Sequence, residues 1–135
     1  MPFETRFFIY WSQTDAAGIV HFAEFFEIVE HAEEELYRTR GVLHHHGRLP
    51  RVEAHAVFKS PLRRGDQVRV VLRPLEIREK AVKYGFDIFN ETTGTLSATG
   101  YIVAVCVELE SGKLKSAKCP QELIETWKSI GDHIT

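Results

Sequence analysis

The sequence predicts an α+β fold in which a curved antiparallel sheet of about five strands wraps a long central helix, with a short helix near the C-terminal end. Three observations carry this. The segment from Phe22 to Arg40 repeats apolar residues at helical spacing, whereas most of the remainder alternates apolar and polar residues in runs of strand length. One strand, the long helix and then about four strands follow in that order, which puts the helix against an antiparallel sheet rather than between parallel strands. At 135 residues, 44% hydrophobic and 27% charged, the chain has the size and make-up of one domain, 1–135, able to bury a core without staples.

Each element has its own signal. Phe3 to Tyr10 is rich in aromatic and branched residues, with Phe3, Thr5, Phe7 and Ile9 on one face, and reads as a strand. A turn of small residues runs from Ser12 to Gly18. Beyond it, Phe22, Phe25, Phe26, Val29, Ala32, Leu36 and Tyr37 recur at helical spacing, while Glu24, Glu27, Glu30, Glu34 and Glu35 line much of the other side. Arg38 and Arg40 suit the negative end of the helix dipole and Gly41 suits its stop. At 1.5 Å per residue this helix is roughly 28 Å long.

A polar connection, Val42 to Pro50, leads into the strands. Val52, Ala54, Ala56 and Phe58 alternate with Arg51, Glu53 and His55; Ser60 to Asp66 then supplies a turn before Val68, Val70 and Leu72. Ala81 to Asn90 and Leu96 to Glu108 are longer runs joined by a hairpin loop at Gly94, and Glu110 to Lys113 is another turn. Pro120 opens a short helix with Leu123, Ile124 and Trp127 as its apolar face. A sheet of this size left open exposes unpaired backbone at its edges, so a second copy is expected to cover one, giving a homodimer or homotetramer.

Composition narrows the function. A formal charge of −2 provides no electrostatic footprint for nucleic acid. The N-terminal residues lack a basic region followed by a long apolar segment, and no apolar run approaches the roughly 20 residues that span a bilayer, so a cytoplasmic protein without membrane contact is expected. Cys106 and Cys119 form no CxxC pair and suit a reducing compartment, where they are expected as buried, unbonded thiols. His44, His45 and His46 invite a metal reading, but three adjacent histidines cannot all converge on one ion without strain and no partner spacing accompanies them. No metal or other cofactor is expected.

The most informative stretch precedes the long helix. Asp15 stands six residues before the helical pattern, too far to be its N-cap, in a turn of Ala16, Ala17 and Gly18. Asp15, Gly18, Val20, His21 and Phe22, followed later by Phe58, Pro61, Gly65 and Asp66, resemble the motifs of the acyl-CoA thioesterases of the hot-dog fold, in particular the 4-hydroxybenzoyl-CoA thioesterase-like group. The resemblance covers most of the chain in element order. One departure is Gln13, where relatives often carry an acid two residues before the aspartate.

The resemblance implies an acyl-CoA thioesterase in which Asp15 either attacks the thioester carbonyl or acts as base on water. It implies a helix-start oxyanion site with the Phe22 amide as donor, positioned by Gly18, Val20 and His21; in relatives the aspartate and the helix start of one site can lie on different subunits. This fits the chemistry, because an ordinary thiol with a pKa of about 8.5 leaves as thiolate with little help, and amides at a helix start stabilise developing negative charge. Coenzyme A carries phosphates, for which Arg63 and Arg64 beside Gly65, and Arg78 and Lys80 at a strand junction, are the expected contacts. Phe25 and His55 are expected in the acyl pocket, and a mid-helix glutamate found in some hot-dog thioesterases makes Glu33 an alternative acid. The acyl group is open between aryl, including 4-hydroxybenzoyl and dihydroxynaphthoyl, and short or medium aliphatic chains. A non-catalytic acyl-CoA-binding protein would lose the carboxylate; a hot-dog dehydratase usually carries an HFPGxP-type helix entry, which "HFAEFF" lacks.

Overall fold

The helical repeat becomes helix α1 (Phe22–Arg40), the long apolar stripe of which buries Phe25, Ile28, Val29, Ala32, Leu36 and Tyr37. In the computed structural model, which describes residues 1–131, it lies against five strands: β1 (Phe3–Phe8), β2 (Arg51–Phe58), β3 (Gln67–Ile77), β4 (Ala81–Asn90) and β5 (Thr95–Val105). These form one sheet in the order β1-β3-β4-β5-β2, every neighbour antiparallel. Its inner face offers Val68, Val70, Leu72, Tyr84, Phe86, Ile88, Ala98 and Ile102 to the helix, all buried. Register shifts between Arg51 and Glu53, Pro74 and Glu76, and Ile88 and Phe89 bend the strands as bulges do, which lets the sheet curve around α1. Close approach is also built in at Gly100, where a Cβ would fall 1.9 Å from the His55 carbonyl oxygen and 2.7 Å from the Phe86 ring. Among the described residues no helix is long and apolar enough to cross a membrane.

Three expectations are corrected by the chain's path after β5. The strand expected from Leu96 to Glu108 stops at Val105, and Val107–Glu110 (β6) instead pairs with Lys113–Ser116 (β7) in a separate hairpin. That hairpin turns the backbone on itself, so Cys106 and Cys119 at its base come to a Cα separation of 5.2 Å and are joined by a disulfide rather than standing as separate thiols. A gap of 13 residues hides such proximity from the sequence, and the inference of a reducing compartment from unbonded cysteines loses its basis. The polar connection after α1 also has structure, a 3-10 helix over Leu43–Arg48. Helix α2 (Gln121–Ser129) begins one residue after Pro120 and buries Leu123 and Trp127 as expected.

One acid of α1 stands on its buried stripe, four residues from both Val29 and Tyr37. Glu33 is 0% exposed. Its Oε1 accepts the Tyr84 hydroxyl at 2.7 Å, and its carboxylate pairs with the Arg51 guanidinium at the start of β2. The Trp127 ring of α2 stacks on Tyr84 at 4.7 Å, and its indole N–H donates to the Tyr37 hydroxyl at 3.2 Å. A buried carboxylate thus joins α1, β2 and β4, with α2 attached through the aromatic rings. Burial first, then the charge of Glu33, hold the Tyr37 and Tyr84 hydroxyls well above the ordinary tyrosine value of 10.0. Burial works against the charge of Arg51, but the neighbouring Glu33 outweighs it and the guanidinium is held more firmly protonated than usual.

Raised tyrosine values set the sign of the alkaline response. Once the pH exceeds about 10, tyrosines of the unfolded chain lose their protons while Tyr37 and Tyr84 keep theirs, so stability is full below that pH and falls above it, by about 1.4 kcal/mol per pH unit for each ring. Urea midpoints measured from about pH 8 to about pH 11 check this, and the fall is expected to shrink in Tyr84→Phe.

Candidate active site

The turn before α1 is held from several sides. Trp11–Gln13 forms a 3-10 turn in which the Gln13 side chain accepts the Tyr10 N–H at 2.9 Å, so the residue that departs from the relatives' acid acts as a local brace. Thr14 bridges to Val20 and Ile19 to Arg63, which closes the intervening residues into a small loop against the β2–β3 connection. Within it the Asp15 N–H donates to the Ile19 carbonyl and the Gly18 N–H to the Asp15 carbonyl, both at 2.9 Å. Asp15 Oδ1 accepts the Ala17 N–H at 2.9 Å, an Asx-type turn. Its Oδ2 makes no hydrogen bond or ion pair among the described residues, and the side chain is exposed.

Gly18 sits at φ 80° with nothing within 4 Å of a would-be Cβ. The position therefore needs the left-handed backbone and not the space. Gly18→Ala is expected to cost about 1–2 kcal/mol of stability through that backbone alone, with the loop and its carboxylate displaced, so that activity falls as well. Denaturant unfolding and thiol release measured on the same preparation check both effects.

At the helix start the amides are unequally engaged. The Val20 N–H donates to the Leu62 carbonyl at 2.9 Å and the Glu24 N–H to the His21 carbonyl at 2.9 Å. His21 is the N-cap, and its Nδ1 accepts the Ala23 N–H at 3.3 Å. Among the described residues the Phe22 N–H has no acceptor, as the first amide of an α-helix is free to have none. Val20, 5% exposed, is therefore a wall residue and His21 a cap, while the Phe22 amide is left available as a donor at the helix start.

Asp15 and Phe22 line one open cavity of about 530 Å³, together with Val20, His21, Phe25, Phe58, Ser60 and Pro61. Its walls are aromatic: Phe58 meets Phe25 edge-on at 5.0 Å and Phe22 at 6.4 Å. Phe22 was expected to bury with the apolar stripe, but it is 62% exposed because its ring opens into this cavity and not onto the sheet. Phe25 is where expected. Phe58, Lys59, Ser60 and Pro61 are additions; the Phe58–Pro61 spacing was the signal for them.

The other expected contacts divide. Arg63 is held in the bridge to Ile19, its own N–H donating to Asp66 Oδ2 at 2.9 Å, and the Arg64 guanidinium lies 5.7 Å above the Trp11 ring. Both stand beside the Asp15 turn. Arg78 and Lys80 do not, because they occupy the β3–β4 turn at the far end of the 11-residue β3; Arg78 is engaged by Glu76 through two bonds of 2.8 Å. His55 is also misplaced by the expectation. Side chains alternate along β2, so His55 points away from the face that carries Phe58, and its ring stacks on Tyr101 at 5.3 Å. Glu33 lines no part of the cavity, being enclosed by Tyr84 and Arg51.

This backbone is shared with known proteins. It superposes on the dynemicin thioesterase with a TM-score of 0.90 at 21% identity, covering 99% of this chain and 100% of that one. With a 1,4-dihydroxy-2-naphthoyl-CoA thioesterase from Synechocystis the TM-score is 0.85 at 24% identity, covering 96% and 98% of the two chains. The curved antiparallel sheet around a long helix defines the class, a hot-dog fold. More particularly, residues 9–126 match the profile of the thioesterase-like superfamily, and the chain belongs to that family. A 1,4-dihydroxy-2-naphthoyl-CoA hydrolase from Crocosphaera subtropica is 33% identical over 89 residues, which is 62% of this chain and 65% of the relative's length.

Proposed function

We propose that the protein hydrolyses an acyl-CoA thioester to the free acid and CoA, the acyl group being a small aryl or a short- to medium-chain group. One observation carries the reading: Asp15, with a carboxylate oxygen that has no partner among the described residues, and Phe22, whose amide has no acceptor there, line the same apolar cavity. In the reaction the Phe22 N–H takes the carbonyl oxygen as it becomes negative, while Asp15 either deprotonates the water that attacks the carbonyl carbon or attacks that carbon itself, giving an acyl-aspartyl anhydride that water opens to the free acid after the thiolate has left. The C–S bond then breaks and CoA departs as thiolate. Phe22, Phe25 and Phe58 give the acyl group three ring faces and edges, a wall suited to a flat or apolar substituent. The CoA thioester named for the Crocosphaera relative supports the leaving group. Lys59, Arg63 and Arg64 are the cations beside this cavity for the CoA phosphates.

The functional unit in this reading is at least a homodimer. Strand β2 pairs with β5 on one side only, and Val52, Val57 and Phe58 on it are 62%, 44% and 45% exposed. A second copy pairing along β2 would cover this edge and close the open side of the cavity at Phe58, the wall shared by both features.

The test is a thiol-release screen over aryl and aliphatic acyl-CoAs, with sedimentation on the same sample. Turnover of at least one substrate by an oligomer is expected. Binding without thiol release would favour an acyl-CoA-binding protein, and loss of water from a hydroxyacyl substrate a dehydratase; either outcome rejects the hydrolase.

A further inference from the structure

A second cluster of chemically active side chains lies outside the cavity. The 3-10 helix after α1 presents His44 and His45 to Glu122, in the first turn of α2. His44 Nε2 stands 3.2 Å from Glu122 Oε1, His45 Nε2 contacts the same oxygen, and the ligand atoms all lie within 4.8 Å of one another. The two imidazoles are 4.0 Å apart between centroids. The objection that three adjacent histidines cannot converge holds for His46, which turns inward with its ring 6.0 Å from that of Tyr37. It does not hold for the other two, because the third donor is supplied by a helix 77 residues further on.

We propose that His44, His45 and Glu122 form a binding site for a late first-row divalent cation such as Zn²⁺, linking the turn after α1 to the start of α2. Two imidazole nitrogens and one carboxylate oxygen are a donor set for Zn²⁺, Ni²⁺ or Cu²⁺, while Mg²⁺ and Ca²⁺ require oxygens. Two rings crowd a single carboxylate oxygen here, and one cation among them would give each nitrogen and the oxygen a partner. His44 and Glu122, with side chains 64% and 54% exposed, leave an entry path and room for water as remaining ligands. None of the three lines the Asp15 cavity, so the site is a clamp on the fold and not a participant in thioester chemistry.

Isothermal titration with ZnCl₂ at about pH 7.5, above the histidine range, on the wild type, His44→Ala and Glu122→Gln tests the proposal, with thermal unfolding of each with and without Zn²⁺. The wild type is expected to bind one equivalent and, at about 100-fold excess over Kd, to gain about 5 °C or more in Tm, reversibly with a chelator. Each variant is expected to keep the metal-free Tm, since His44 and Glu122 are exposed, and to weaken binding by at least about 10-fold. On the wild type itself, Zn²⁺ should shift the imidazole NMR signals of His44 and His45 and leave those of His21 and His55 in place. Absence of saturable binding, or binding that both variants leave intact, overturns the site.

Discussion

Asp15→Asn is expected to lower thioester hydrolysis by at least about 100-fold while the protein folds and assembles as before. The two halves of this expectation have separate causes. An asparagine keeps the side-chain oxygen that accepts the Ala17 N–H, so the Asx turn and the bridges from Thr14 to Val20 and from Ile19 to Arg63 persist. The lost component is the negative charge, on a side chain that lines the cavity and whose second oxygen has no partner among the described residues. An amide is neither a nucleophile toward a thioester nor a base for water, whichever role the carboxylate plays. Steady-state thiol release with matched sedimentation and unfolding profiles measures both halves. Activity surviving in a folded variant would remove Asp15 from the chemistry, and the Glu33 alternative would not replace it, because that carboxylate is enclosed.

The extent to which this was legible in the sequence follows the range of the interactions. Helix α1 could be bounded at Phe22 and Arg40 because its apolar repeat and its glycine stop are local signals, and β4 at Ala81 and Asn90 for the same reason. Asp15 and Phe22 were singled out by the resemblance of their motif, which lies within one short stretch of the sequence, and both residues line one cavity of this chain. Contacts set by the return of the chain were not. The Cys106–Cys119 bond depends on a hairpin hidden within a longer apolar run, and the meeting of His44 and His45 with Glu122 depends on where α2 docks. His55 failed differently: alternation along β2 was visible, but which face would see the cavity depended on the pairing with β5.

Glu33 shows that difference most strongly and gives the prediction with the larger effect on stability. Its spacing, four residues from both Val29 and Tyr37, sets it on the buried stripe of α1, but its partners are brought by the sheet, Tyr84 over it and the first residue of β2 against it. Glu33→Ala is expected to cost about 3–5 kcal/mol, because it strands a largely buried guanidinium and a buried hydroxyl at once. Arg51→Ala is expected to cost a similar amount by leaving the Glu33 carboxylate without its counter-charge. The pair need not be stabilising in itself, however: its attraction is opposed by the desolvation of two ions, so Glu33→Leu combined with Arg51→Met should lose far less than the two alanine changes added together. Urea unfolding of the three variants beside the wild type separates these terms. If Glu33→Ala costs less than about 1 kcal/mol, the carboxylate is hydrated in solution and the junction of α1, β2 and β4 is looser than described. If the cost is as expected, Arg51 fixes the start of the β2 edge through a charge held by the helix, and Arg51→Ala should also weaken self-association along that edge, which sedimentation at falling protein concentration would detect.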